Sequence, residues 1–232
     1  MISIIIPTYN EARNITDLVV RVKACLGTDY ELIVVDDGSP DGTGMIAEQL
    51  AHDHPVKVVH RKGKLGLASA VLEGFKVAQG ELLGVIDSDL SHPPEILPFL
   101  LKDMTGQGAD IIVASRFLKG SGIENWPKIR LLATNIAMLS VRPLTGVKDP
   151  MSGFFILRRE VIDGVSLIPR GFKILLEILV KGRYKKVIEY PFVFKDRVHG
   201  VSKLNPRTYL DFSEQLLDLY CFKVKRIFRG KK

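Results

Sequence analysis

Apolar residues in the first half of the chain follow two alternating patterns. Short, nearly unbroken runs rich in β-branched residues occupy positions 2–6, 30–35, 56–60, 81–86 and 110–114. Such runs predict strands buried on both faces. Between them apolar residues recur every three or four positions, as in Ile15, Leu18, Val19, Val22 and Leu26, and helices are expected there and over 43–52, 65–78 and 94–103. Strands alternating with amphipathic helices predict an α/β fold with a mostly parallel, Rossmann-like sheet flanked by helices. Ligands of such sheets bind at the carboxyl ends of the strands, where this chain carries its acidic and turn-forming segments.

The second half is less regular. A glycine-bearing loop is expected over 115–128, a helix over 129–144, a return to the sheet over 149–158, a helix over 172–180 and a strand over 187–194. A polar, basic loop at 196–205 precedes a helical pattern at 209–228 whose apolar set is Tyr209, Phe212, Leu216, Leu219, Tyr220 and Ile227. We read 1–205 as one catalytic domain and 206–232 as an amphipathic, basic C-terminal helix that lies on a membrane or precedes a transmembrane region. No internal repeat or linker is evident.

With 232 residues, 46% hydrophobic and 25% charged, the chain suits one domain with a sizeable core and excludes a disordered protein. The formal net charge of +7 points to an anionic partner: nucleic acid, an acidic membrane face or phosphorylated substrates. The two cysteines, Cys25 and Cys221, form no CxxC and suggest neither a disulfide framework nor a zinc site. Met1 leads directly into the first strand without a secretory leader, and no apolar run reaches the ~18 residues of a membrane span.

Candidate chemistry collects behind the strands. Asp87-Ser88-Asp89 puts two carboxylates where both can turn toward one site and hold Mg²⁺ or Mn²⁺; alone, it reads equally as a polar turn or a helix cap before Pro93-Pro94. Asp36-Asp37-Gly38-Ser39-Pro40 is turn chemistry or a ribose and base acceptor. In Pro7-Thr8-Tyr9-Asn10-Glu11, Tyr9 can stack on a base, and Glu11 can cap amides or bind a ribose. Arg116, Arg130, Arg197 and Lys203 are surface charges or phosphate ligands. His92 and His199 lack metal-like spacing and read as polar loop residues, and neither GxSxG nor a Cys/His nucleophile is present.

The combination is more specific than its parts. IIIPTYNE at 4–11, VVDDGSPDGT at 34–43, DSDLSHPPE at 87–95, SRF at 115–117, ENWPKIR at 124–130, DPMSGFF at 149–155, GFKILLEIL at 171–179 and HGVSKL at 199–204 follow one another in order. Together they resemble the dolichyl-phosphate mannose synthases, inverting family 2 glycosyltransferases with a glycosyltransferase A fold. The resemblance implies transfer of mannose from GDP-mannose to dolichyl or polyprenyl phosphate, with Mg²⁺ or Mn²⁺, on the cytoplasmic face of a membrane and with no nucleic-acid partner. It also leaves room for a membrane-spanning partner subunit or a transmembrane region outside this chain. By position it implies that Pro7, Tyr9, Glu11, Val35 and Asp37 hold the nucleoside and that Ser88 lies beside the donor. Asp87 and Asp89 would hold the metal, with Ser91 in the place where family members often carry a glutamine ligand. Arg116 and Arg130 would grip the acceptor phosphate, and Arg197 and Lys203 would close over the donor diphosphate. Asp89, Arg116 and Arg130 are then the candidate catalytic residues.

This inventory fits the chemistry implied. A lipid monophosphate is largely dianionic near neutral pH and attacks without a general base, so arginines and a metal suffice. Two other readings stand beside it: a UDP-sugar-dependent polyprenyl-phosphate glucosyl or N-acetylhexosaminyl transferase, and a basic nucleotide-binding module without catalysis.

Overall fold

A computed structural model of the chain describes residues 1–124, 126, 128–168, 173–196 and 206–229. Its first half follows the expected alternation: β1 (Ile2–Thr8), α1 (Ile15–Leu26), β2 (Tyr30–Asp36), α2 (Thr43–Leu50), β3 (Val56–His60), α3 (Leu67–Val77), β4 (Leu82–Val85), α4 (Leu97–Gln107) and β5 (Ile111–Ser115). Then come β6 (Gly122–Ile123), α5 (Lys128–Val141), β7 (Phe155–Arg158), α6 (Ile174–Lys181), β8 (Val187–Pro191), β9 (Val193–Phe194) and α7 (Pro206–Arg229). Seven strands form one sheet in the order β3-β2-β1-β4-β7-β5-β8, and β6 and β9 form a small parallel pair.

All neighbours in the large sheet are parallel except β7, which runs antiparallel to both β4 and β5. The register sets Phe155 opposite Val85 on one side and Val113 on the other. The segment that leads into β7 therefore emerges at the same edge as the carboxyl ends of β4 and β5. Periodicity predicts a strand here but carries no information on its direction.

The unbroken apolar runs become strands buried on both sides. Ile2, Ile4 and Ile6 of β1 face a core shared with α1 and α4, whereas Ile5 faces the core built on α3 and α6. A third cluster joins Val141 of α5, Leu176 and Val180 of α6, and Leu219 of α7. The stripe expected on α7 for a membrane points inward instead: Leu219 is buried, and Phe212, Leu216 and Tyr220 pack against this third cluster. Ile227's side chain lies outside the described residues.

Helix α3 comes close to the sheet at Gly74, where an added Cβ would lie 2.6 Å from Ile5 Cγ2. Alanine favours a helix over glycine by about 1 kcal/mol, but Ile5 is fully buried in mid-sheet and has nowhere to move. Overpacking of this kind costs about 1–3 kcal/mol. Gly74→Ala should therefore be destabilising in urea unfolding, with a fall in Tm of about 2–4 °C per kcal/mol. A variant as stable as the parent would contradict the contact.

Candidate active site

The site grows from the adjacent carboxyl ends of β2, β1 and β4. Past β1, Asn10 takes a left-handed conformation at φ 56°, and the backbone amides that follow are capped by the loop after β2. Asn10 N–H donates to Ser39 Oγ at 2.9 Å, Glu11 N–H to Thr43 Oγ1 at 2.9 Å and Ala12 N–H to Asp41 Oδ2 at 3.1 Å. Partial burial works against ionisation of Asp41, but donors from Thr43 and Ala12 outweigh it and hold its carboxyl below the usual range. Glu11 is buried and accepts from Asn14 Nδ2 at 2.7 Å. Tyr9 keeps its ring at the edge of the site, with Lys64 Nζ 4.7 Å from its centroid.

Two expected nucleoside ligands also hold the scaffold. Asp37 pairs with Arg61 through Oδ1, and its Oδ2 accepts from the amides of Leu65 and Gly66 at 3.1 and 3.0 Å. Asp37 thus fixes the Gly63–Gly66 turn into α3. Val35 buries its side chain in the core beneath α3 and offers only its carbonyl, which accepts from Thr8 Oγ1 at 3.3 Å. Pro7 contributes a carbonyl as well: Ser88 Oγ donates to it at 3.2 Å and ties the segment after β4 to β1.

Within Asp87-Ser88-Asp89, the Asp87 side chain is 29% exposed and Asp89 is buried. Leu90 is left-handed at φ 63°, costly for a residue with a Cβ, and this turns the chain back on Asp89. Ser91 then donates to Asp89 Oδ1 twice, from N–H at 3.1 Å and from Oγ at 2.6 Å. Ser91 thus braces the Asp89 carboxylate, its hydroxyl beside the oxygens expected to hold the metal. His92 lies in the loop after β4, as expected, but is not a surface residue. It is buried, stacks on Phe154 at 5.3 Å and meets the edges of Phe192 and Phe194. Its Nδ1 accepts from Asp87 N–H at 3.2 Å. Burial pushes the imidazole pKa down, against the pull of Asp87 and Asp89, so a neutral ring supports the acidic turn.

The cationic side is organised by the segment before β7. Asp149 is fully buried and accepts from Arg116 N–H, Nε and Nη2 at 3.0, 2.7 and 2.8 Å. Asp149 N–H itself donates to Glu189 Oε1 at 3.0 Å. Met151 O accepts from Lys173 Nζ at 2.9 Å. Gly153 leaves room for Asp87: a Cβ there would lie 2.9 and 3.2 Å from its carboxylate oxygens. The Nε and Nη2 edge of Arg116 is thus closed on Asp149, which fixes the guanidinium in place and leaves its other three N–H donors outside that pair. Arg130 lies with its guanidinium 3.9 Å from the Trp126 ring and Nη1 3.4 Å from Asp196 Oδ1. Arg197, His199 and Lys203 lie outside the described residues. Sequence reading missed Lys173; its signal was a lysine amid the apolar run that becomes α6. Burial, then Arg116, push its pKa down to about 8.

The acidic turn fits Mg²⁺ or Mn²⁺. It offers hard carboxylate oxygens, and the described residues hold no group of three or more His, Cys, Asp or Glu poised as an all-protein cage. Few protein ligands suit an ion that completes its shell with water and diphosphate oxygens.

The family model of glycosyl transferase family 2 matches residues 3–165. A dolichol-phosphate mannosyltransferase of Pyrococcus furiosus is 46% identical over 223 residues, covering 94% of this chain and 63% of its own length. The chain thus spans less than two thirds of that relative. The dolichol-phosphate mannosyltransferase of Saccharomyces cerevisiae is 38% identical, covering 95% of this chain and 87% of its own. Among solved structures, glucosyl-3-phosphoglycerate synthase from Mycobacterium tuberculosis, in complex with Mn²⁺, UDP and glucosyl-3-phosphoglycerate, superposes with a TM-score of 0.67 at 22% identity over 96% of this chain and 79% of that one. A mannosyltransferase from Pyrobaculum calidifontis, in complex with GDP-Man and Mn²⁺, does so with a TM-score of 0.64 at 19% identity over 97% and 64%. These two share the fold: a mostly parallel sheet flanked by helices. The chain belongs to glycosyl transferase family 2 and, within it, to the dolichol-phosphate mannosyltransferases.

Gly153→Ala tests the contact that shapes the acidic turn. Displacing Asp87 should weaken Mn²⁺ binding, measured with GDP present, by about 10–100-fold, the usual cost of disturbing a ligand's support. Unchanged Mn²⁺ affinity would mean that Asp87 is not held where a metal needs it.

Proposed function

We propose that the chain transfers mannose from GDP-mannose to a dolichyl or polyprenyl phosphate, with inversion and with Mg²⁺ or Mn²⁺, at a membrane surface. The observation that carries this reading is the meeting of two unlike faces at one sheet edge. Asp87 and Asp89 form one, and Arg116, Arg130 and Lys173 form the other. The relatives' names supply the sugar and the lipid; the fold alone does not choose between GDP and UDP donors.

Tyr9 and Glu11 line the nucleoside end, and Asp87 and Asp89 hold the metal. The ion's part is to screen the diphosphate as it leaves. Arg197 and Lys203 complete the donor's enclosure in this proposal. The acceptor phosphate needs no base, because its oxygen is already ionised. His92 does not compete for that role, since its Nδ1 is engaged and its ring kept neutral. What remains for the protein is to hold two anions in line at one carbon while screening their repulsion.

We assign the membrane contact to the outer faces of α5 and α7. No helix of the described residues is long and apolar enough to cross a bilayer. Leu132, Ile136 and Leu139 on α5, and Leu210, Leu217, Val224 and Phe228 on α7, are nonetheless exposed. Both sets recur at helical spacing, and Lys225 and Arg226 are exposed beside the α7 set, so an apolar stripe is flanked by positive charge suited to anionic lipid. Arg130 lies in the first turn of α5, so a lipid whose tail stays in the bilayer brings its phosphate to the cationic face.

Asp89→Ala should abolish mannosyl transfer while leaving the melting transition near that of the parent, since the second carboxylate of so sparse a metal site is removed. Parent-like turnover at saturating Mn²⁺ would rule out the metal role. In flotation, the chain should rise with anionic vesicles, less so in high salt. The double substitution Leu217→Glu and Phe228→Glu should leave it in the pellet fraction; equal flotation of both proteins would reject this face.

A further inference from the structure

We propose that the pocket between α6 and α7 binds one water molecule, which joins the two helices by donating to Glu177 and to Gln215. The site is separate from the strand-end edge and does not depend on the reaction proposed above. The pocket measures about 10 Å³ and is lined by Ile168, Glu177, Lys181, Gln215, Asp218 and Leu219. A space of that size takes a single water.

Its walls carry two acceptors without donors. Glu177 and Gln215 are only 1% and 3% exposed, and Glu177 Oε2 and Gln215 Oε1 have no hydrogen-bond partner among the described residues. The other end of each side chain is fixed. Glu177 Oε1 accepts from Ile168 N–H at 2.7 Å and from Lys181 Nζ at 2.6 Å. Gln215 Nε2 donates to Lys173 O at 3.3 Å. A carbonyl admits only the nitrogen of the amide, so the oxygen of Gln215 must face the other way. Buried acceptors left unmatched are costly, and two acceptors cannot satisfy each other. A ligand with two donors is required, and water has two. It also accepts, and Lys181 lines the same pocket. The ammonium already bonds Glu177 Oε1 and, at 3.4 Å, Ser166 O, which leaves one of its three N–H groups for the water. About three hydrogen bonds are usual for a buried water. A monovalent cation could use the same oxygens together with Asp218, but it would lie against the Lys181 ammonium, and this favours water.

The joint has a place in the fold. Tyr220 Oη donates to Ser140 O at 2.7 Å and Lys223 Nζ to Pro143 O at 2.6 Å, so polar contacts tie α7 to α5. Toward α6 the apolar cluster around Leu176, Val180 and Leu219 supplies adhesion, and directional bonds are what specify a single seat. The water supplies such bonds. The amide that receives it also holds Lys173 O, and Lys173 Nζ holds Met151 O in the turn 149–154, so the joint adjoins the support of the active-site edge.

A high-resolution crystal structure of the full chain, before and after a soak in rubidium chloride, tests the site directly. A solvent peak should lie within about 2.7–3.2 Å of both Glu177 Oε2 and Gln215 Oε1, without an anomalous rubidium signal. The second test is Gln215→Met, a substitution close in volume that suits a helix beside an apolar cluster. It should displace the water and lower Tm by about 2–10 °C, because Glu177 Oε2 loses its donor. Glu177→Gln, whose amide can donate to the same water, should retain the peak. No peak, a peak on one oxygen alone, rubidium at the site, or a Gln215→Met variant as stable as the parent would each overturn the proposal. The crystallographic test of the parent holds whether or not either variant folds.

Discussion

The buried carboxylate of Asp149 is the fixed point of the active-site edge. It accepts three hydrogen bonds from Arg116, one of them from the backbone at the end of β5, while its own amide is held by Glu189 from β8. One side chain thus locks the segment before β7 onto the two strands beyond it. An intact buried ion pair adds little net stability, because desolvation offsets most of the attraction. Removing one partner is different: it leaves a charge in a dry interior, at about 3–5 kcal/mol. The pair is better understood as a constraint on position than as a source of stability.

That constraint matters because of how the sheet is wound. β7 lies between β4 and β5 and runs against both, so the segment 149–154 enters the sheet at their carboxyl edge. It therefore stands between the acidic turn after β4 and the arginine after β5, and it touches both. Gly153 abuts the Asp87 carboxylate, Phe154 stacks on His92, Met151 holds Lys173 and Asp149 holds Arg116. The spacing between the carboxylate face and the cationic face is set by one short stretch of chain.

Much of the scaffold was legible in the sequence. Runs such as 2–6 and 30–35 are too apolar and too short for anything but strands buried on both faces, and the helical spacing of Ile15, Leu18, Val19 and Val22 matches the buried face of α1. The motifs after β1, β2 and β4 converge because parallel strands bring their carboxyl ends to one edge. What the sequence concealed were partners. Nothing in the sequence ties Arg116 to Asp149, 33 positions away, which takes its Nε and Nη2 and sets its position. Nor does it show that Asp37 ties down a turn and that Ser91 braces a carboxylate. Helix α7 has apolar residues on two faces, and composition cannot tell which one meets the domain. The burial of His92 was hidden too, because its contacts are aromatic rings far away in the sequence.

The edge that carries the chemistry also concentrates the fold's local costs. Among the described residues, the two left-handed ones other than glycine, Asn10 and Leu90, sit in the segments after β1 and β4. Glu11, Asp36, Asp37, Asp89 and Asp149 are all buried there. Each unfavourable feature is held by a specific neighbour: Ser39 for the amide of Asn10, Ser91 for Asp89, Arg61 for Asp37 and Arg116 for Asp149. Carboxylates clustered in a dry site repel one another, and so do the cations beside them. Neither face can relax toward the other, because the turn 149–154 separates them and is itself pinned. A site of this kind is prepared for two ligands of opposite need. In the proposed reaction, a metal-bound diphosphate would relieve the acidic face, and an incoming phosphate the basic one. On that proposal the protein would keep both anions close without a proton transfer, because the electrostatic work was done when the chain folded.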